Sequence, residues 1–337
     1  MNKLVYMWHP DQAPHWLRDA LPENYPMEIY DPAQEYGLGT VFYYDMYGRY
    51  HETIETYLER GHRVVFDAKN EHYIHFNMHW IFLLLLQYPG QTMILISGDC
   101  AKQISGLRIE ATPYWYWIMD QPKLRAIGLD QYRPQHNREK KFFMSLGKQR
   151  VARDYLYHSL GDLLKDSVHS YIGRNVKLPN DWTDGMVEAF DRYVNTDWLD
   201  STCFTVAAET YVDDIETTGF SLTQNDRFFL SEKTYKPLAC KHPLLMVSTQ
   251  GNLAYLRGQG FETFPELWDE SYDNIANWQQ RIDRVVQLVR DFDPEALDNP
   301  VVQEKLLHNS ARFFDKDLRT QLLNSTIIKP LLEFVDA

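Results

Sequence analysis

Apolar and polar positions alternate along this chain in blocks that predict strands and helices in turn. Leu4-Val-Tyr-Met-Trp8 reads as an opening strand, stopped by His9-Pro10. Residues 50–60 predict a helix that feeds a strand at Gly61-His-Arg-Val-Val-Phe-Asp67. A second helix over about His75 to Gln87 carries the run Trp80-Ile-Phe-Leu-Leu-Leu-Leu86, and Tyr-Pro-Gly closes it ahead of the strand Thr92-Met-Ile-Leu-Ile-Ser97. Trp115 to Met119 is a further apolar segment. Between Asp130 and Lys141 the chain turns polar, which marks a linker. The alternation then resumes with a strand at Phe142 to Leu146, a Gly147-Lys148 turn, a helix over Arg150 to Leu164 and a strand at Thr202 to Ala207. The last part reads as helices over 277–291, 301–314 and 318–334. Strands alternating with helices at these lengths predict an α/β fold with parallel sheets. The expected organisation is an N-terminal α/β lobe over 1–135, a second over 140–290 and a C-terminal helical segment over 291–337, which would pack back across the first.

Composition narrows the function. The chain has 337 residues, long enough for two cores. Its net charge of −13 repels a phosphate backbone at long range and disfavours a general nucleic-acid binder. Aromatics make up 14%, which suits large cores and also sugar or base pockets. Cys100, Cys203 and Cys240 have no CxxC spacing, so a reducing, cytoplasmic setting is expected (host cytoplasm if the protein is viral). No signal peptide is read at the N-terminus, and the longest apolar run is too short to span a bilayer.

Two stretches carry candidate chemistry. After the strand 142–146, Lys148, Arg150 and Arg153 lie in or beside a helix start. Bases there oppose the helix dipole, and either anion binding or a solvated basic turn accounts for them. The spacing matches neither a Walker loop nor a GxGxxG turn. The second stretch is Phe229-Leu-Ser-Glu-Lys-Thr-Tyr-Lys-Pro-Leu238. With Ser231 as helix cap, Glu232 would accept from sugar or ribose hydroxyls and Lys233 would neutralise a diphosphate. Tyr235 offers a stacking face, and Lys236 adds a second base. An ordinary helix start with an acid in its first turn explains the same letters. His72, His75 and His79 have helical spacing but no evident carboxylate or fourth ligand, so no metal is expected.

The run Ser231 to Ala239, then His242-Pro243, Asn252 to Phe264 and Trp268-Asp-Glu-Ser-Tyr-Asp273, resembles the donor domain of glycosyltransferases related to the α-1,3-fucosyltransferases, in a wording common among phage and bacterial proteins. The resemblance covers about 142–290 and is dense in 201–273. It implies a GT-B arrangement, two Rossmann-like lobes facing a cleft. It also implies transfer of a sugar from a nucleotide-diphosphate donor to an acceptor hydroxyl, with no metal or other cofactor. It places Glu232 on the donor's sugar or ribose, and Lys233 with Arg150 or Arg153 on the diphosphate. Ala208-Glu-Thr210 resembles the acidic residue that precedes the motif. The proton acceptor is sought among Glu209, Asp67 and Asp99, with Glu71, His9 and His72 behind them; a helix N-terminal cap or an interlobe salt bridge explains Glu209 equally well, and surface or capping roles explain the others. The expected partners are a nucleotide sugar and an acceptor glycan, small molecule or modified DNA base. A non-catalytic nucleotide- or glycan-binding protein of the same fold is the alternative.

Overall fold

The computed structural model of the chain describes residues 2–7, 21–45, 51–68, 79–97, 108–112, 128–134, 137–178, 196–210, 212 and 228–337. The chain divides into two compact units, Met1–Tyr114 with Lys316–Ala337, and Trp115–Asp315. The division therefore falls ahead of the polar stretch 130–141, and residues 291–315 group with the second unit.

The first unit is built on six strands: β1 (Lys3–Met7), β2 (Met27–Ile29), β3 (Thr40–Asp45), β4 (Arg63–Ala68), β5 (Thr92–Ser97) and β6 (Ile109–Thr112). They hydrogen-bond in the order β2-β1-β3-β4-β5-β6, and every neighbouring pair is parallel. Parallel strands covered on both faces need continuous apolar runs. Val64-Val-Phe66 and Met93-Ile-Leu95 supply them with no exposed surface. Helix α1 (His51–Glu59) buries Ile54, Tyr57 and Leu58, a spacing of three and four that puts them on one face. It ends at Gly61, whose φ of +87° suits a residue without a Cβ. Helix α2 (His79–Gln87) is apolar nearly all round. Ile81, Leu84 and Leu85 face the core, while Leu83 and Leu86 face out.

The second unit is built on β7 (Lys140–Leu146), β8 (Ser167–Tyr171), β9 (Thr202–Ala208) and β10 (Leu244–Val247), in the order β10-β9-β7-β8 and again all parallel. Its helices are α3 (Val151–Leu160), α4 (Thr196–Asp200), α5 (Glu232–Ala239), α6 (Asn252–Gly258), α7 (Trp278–Asp291) and α8 (Pro300–Phe313). Every residue of β9 and β10 is buried. Phe204 sits at the centre, 4.6 Å from Phe292 and 5.5 Å from Trp268 between ring centroids. Trp268 is thus a core residue, and the polar residues around it tie the following helix through Arg284 and Asp269.

Two expectations about boundaries change. Lys140 and Lys141, read as the end of a linker, open β7. Their ammonium groups reach past the sheet to the carbonyls of Lys165 and Arg290, at the ends of a 3-10 turn (Gly161–Asp166) and of α7, where the backbone dipole favours a cation. The helix expected over 150–164 leaves α geometry at Leu160 and tightens into that 3-10 turn.

The C-terminal segment contributes α9 (Lys316–Leu323), a π turn (Asn324–Ile328) and α10 (Lys329–Asp336) to the first unit. Ile327, Ile328, Leu331, Phe334 and Val335 join Leu4, Tyr6, Val41, Tyr43 and Val65 in one core. Arg63 closes the end of α10 by donating to the carbonyls of Phe334 (2.7 Å) and Val335 (3.0 Å). No helix among the described residues is long and apolar enough to cross a membrane.

Both sheets share the doubly wound order 2-1-3-4, which differs from the 3-2-1-4 order of a classical dinucleotide fold. In open sheets of this kind the ligand crevice lies beyond the carboxyl ends of the strands where the order reverses. In the second unit that point is between β7 and β9, after Leu146 and Ala208.

Candidate functional site

The carboxyl ends of β7 and β9 bring several of the sequence candidates together. β7 runs into Gly147-Lys-Gln-Arg150, and α3 starts at Val151 with Arg150 at its N-cap. One turn in, Arg153 turns toward the sheet edge and is buried, 4% exposed. Its Nη1 donates to the Lys148 carbonyl at 3.0 Å and its Nη2 to the Glu209 carbonyl at 3.5 Å. Its Nε makes no hydrogen bond among the described residues, and neither does the buried Nε of Arg150. Burial, then the charge of Arg150, holds the Arg153 guanidinium below its usual range, against the opposing pull of Glu209 and Glu232.

The loop is braced from β8. Asp154 accepts from Arg174 Nε (2.6 Å), Gln149 (2.8 Å) and the Tyr171 hydroxyl (2.8 Å). The Arg174 bond, with those from Gln149 and Tyr171, brings the Asp154 carboxyl down to about 2. The Gly173 N–H donates to the Gly147 carbonyl at 3.0 Å. A Cβ on Gly173 would lie 2.5 Å from the backbone nitrogen of Gln149. Gly173 and Asp154 went unnoticed in the sequence. An acid one turn into a helix behind a basic loop was the available signal for Asp154, and nothing marked Gly173.

At the end of β9, Glu209 has no exposed surface. Its Oε1 accepts from the Ser231 N–H (2.9 Å) and the Thr234 hydroxyl (2.6 Å), and its Oε2 from the Ser231 hydroxyl (2.6 Å). The carboxylate therefore sits on the N-terminus of α5, held by three donors. Ser231 caps α5 as expected, its Oγ accepting from the Lys233 N–H. Lys233 Nζ donates to Glu232 Oε1 at 2.7 Å and to Ser231 Oγ at 3.2 Å. Glu232 is 2% exposed. Burial alone would raise its carboxyl, but the ammonium groups of Lys233 and Lys236 and its own backbone N–H outweigh burial and hold it below the usual range.

The other candidates fall elsewhere. Tyr235 does not offer a stacking face. It is 1% exposed, packs on Phe261 and donates to Gln259 Oε1 at 2.7 Å, because its place on α5 points it into the core. Replacing Tyr235 with Phe is expected to cost about 1 kcal/mol of stability, one buried hydrogen bond, and to leave ligand binding unchanged. Chemical denaturation with a parallel binding isotherm checks it. Lys236 is half-buried beside Glu232. Asp67, in the first unit, lies one residue before the end of β4 and accepts from the Tyr43 hydroxyl at 2.7 Å. Asp99, Glu71, His9, His72 and His75 lie outside the described residues, as does the side chain of His79.

Beyond β10, α6 is capped by a buried acid. Asp273 Oδ2 accepts from the Leu253 N–H at 3.1 Å. Burial pushes its carboxyl up to about 6, partly offset by that bond and by Arg281. The folded value lies above the unfolded one. Charging Asp273 therefore penalises the fold above pH 6, and the penalty is relieved as pH falls from 6 toward 4. Asp273→Asn is expected to flatten that part of the stability–pH curve by on the order of 1–2 kcal/mol, measured by urea unfolding at pH 4.5 and pH 7.5.

No protein-family model matches this chain, and no curated protein matches it in sequence. Among solved structures it is similar to a crystal structure of an α1,3-fucosyltransferase with GDP-fucose, at 9% identity and a TM-score of 0.43, over 100% of this chain and 90% of that one. Likeness at that level assigns no residue here a role.

Proposed function

We propose that this protein is a glycosyltransferase that binds a nucleoside-diphosphate sugar at the carboxyl edge of its four-stranded sheet. The observation that carries the reading is Arg153: a buried guanidinium whose hydrogen bonds among the described residues go to two backbone carbonyls and leave Nε unused, at the point where the strand order reverses. Burying a cation is costly; Glu209 and Glu232 attract this one without a carboxylate hydrogen bond to it among the described residues, and a bound diphosphate would supply a directly bonded anion. Arg150 and Lys233 border the same edge and complete a basic cradle for two phosphates. Glu232 beside them suits hydroxyls of the ribose or the sugar. The motif resemblance in 201–273 agrees with this placement. GDP-fucose, the ligand named for the similar solved structure, is the first donor to try.

Glu209 has three donors on its carboxylate and is poorly placed to take a proton from an acceptor. Of the other two candidate bases, Asp67 is the one with a described setting. The test is to incubate the protein with GDP-, UDP-, ADP- and CMP-linked sugars and follow release of the nucleotide. Slow release from one donor, abolished in Arg153→Gln with the fold retained, supports the reading. Binding of a nucleotide with no release under any acceptor would favour the non-catalytic alternative. Absence of both binding and release would overturn the reading.

A further inference from the structure

The Ser231 hydroxyl is saturated in one arrangement only. A serine hydroxyl has one hydrogen to give and two lone pairs to accept with. Here three groups surround it: Glu209 Oε2 at 2.6 Å, the Lys233 N–H at 3.3 Å and Lys233 Nζ at 3.2 Å. Both lysine groups are donors, so the hydroxyl hydrogen goes to Glu209 and the lone pairs face Lys233. Glu209 is itself committed, since its Oε1 receives the Ser231 N–H and the Thr234 hydroxyl. All three residues of this chain are buried, Glu209 fully, Ser231 at 1% and Thr234 at 0% exposed, so water does not substitute for any of them.

We infer that Glu209 is a positioning residue that acts through the Ser231 hydroxyl to hold the Lys233 ammonium in place. The inference rests on the proposed donor site for its purpose, but the relay itself is a property of the unliganded chain. A glutamine at 209 shows why. Its Oε1 keeps the Ser231 N–H and Thr234 contacts, but its amide nitrogen becomes a third donor aimed at Ser231 Oγ. The hydroxyl then has more donors than lone pairs and must release one. The Lys233 N–H is fixed by the first turn of α5, so the flexible Nζ is the group that leaves Ser231 Oγ, held from then on by its Glu232 ion pair without the second anchor. The same carboxylate occupies the N-terminus of α5, so that helix end is closed to an external anion. Charge for a bound phosphate must come from the lysine side chain, which makes its placement matter.

The experiment is pulsed acetylation of the full-length protein with acetic anhydride, read by peptide mass spectrometry. Lys241 and Lys305 serve as half-buried internal controls, each bonded to a carbonyl elsewhere in the second unit. Glu209→Gln should raise the Lys233 labelling rate by about three-fold or more, the loss of one modest hydrogen bond, and leave the controls unchanged. Ser231→Ala should raise it as well, and in that background Glu209→Gln should add nothing further. Thermal unfolding verifies that each variant is folded. An unchanged Lys233 rate in Glu209→Gln, or an equal rise with and without the Ser231 hydroxyl, overturns the relay. A separate titration of wild type and Lys233→Ala with GDP and UDP reports on the donor site. If Lys233→Ala binds both as wild type does, the proposed site fails, while the labelling still decides the relay.

Discussion

Lys233→Ala is expected to weaken nucleoside-diphosphate binding by about 1.5–3 kcal/mol, roughly ten- to a hundred-fold, the range for a hydrogen bond to a charged group. The same change is expected to destabilise the free protein. Lys233 Nζ is the ion-pair partner of Glu232, and the two side chains are 14% and 3% exposed. Removing the cation leaves a buried carboxylate that still feels Lys236 but has lost its ion-pair partner, and breaking one side of such a pair is costly. Stability and affinity can be separated by a second variant. Lys233→Met combined with Glu232→Gln removes both charges and should recover most of the stability without recovering affinity for the diphosphate. Isothermal calorimetry with GDP and UDP, beside urea unfolding, reads both. Unchanged affinity in a folded Lys233→Ala would place the diphosphate elsewhere.

The parts of this arrangement that were legible in the sequence share a physical origin. Strands covered on both faces must be apolar throughout, so β5 was readable to the residue and β9 nearly so. The Ser231 cap was readable because a hydroxyl before Glu-Lys at a helix start has a local role. Other features depend on contacts distant in sequence. β3, Thr-Val-Phe-Tyr-Tyr-Asp over 40–45, is central in its sheet but went unread, since its aromatic run shows no alternation. β8 was missed because Ser-Val-His-Ser-Tyr is half polar. Its serine at 170 pairs across to Ser145 at 3.2 Å, a partner twenty-five residues away. For Glu209 the sequence left proton transfer, a helix N-terminal cap and a salt bridge open, and the structure puts its carboxylate on the N-terminus of α5. Its commitment to Ser231 and Thr234 crosses a connection of more than twenty residues, and no local pattern encodes it. Tyr235 was misread as well. Its ring was expected to offer a stacking face, whereas α5 turns it into the core, where Gln259 satisfies the hydroxyl.

Gly173→Ala is the substitution expected to damage both the fold and the site. The backbone at 173 is not in the left-handed region, so the objection is purely steric. The new Cβ would meet the backbone nitrogen of Gln149 at 2.5 Å and its Cα and Cβ at 3.0 Å. The nitrogen and Cα are main-chain atoms and cannot rotate aside. The 3-10 turn Ile172–Arg174 must retreat from the loop after β7, which breaks the Gly173–Gly147 hydrogen bond and pulls at the Gln149–Asp154 contact. Overpacking and one lost hydrogen bond together cost about 2–4 kcal/mol. The loop that moves also carries the Lys148 carbonyl that holds Arg153, so affinity for a diphosphate should fall with stability. Gly258→Ala is the control, since a Cβ there meets nothing within 4 Å, and it should be neutral or stabilising by about 0.4–1 kcal/mol. Urea unfolding of the two variants gives the comparison. Equal stability would mean that the turn and the loop do not touch. A destabilised Gly173→Ala with full nucleotide affinity would mean instead that the loop after β7 supports the fold alone, and that the phosphates are held without it.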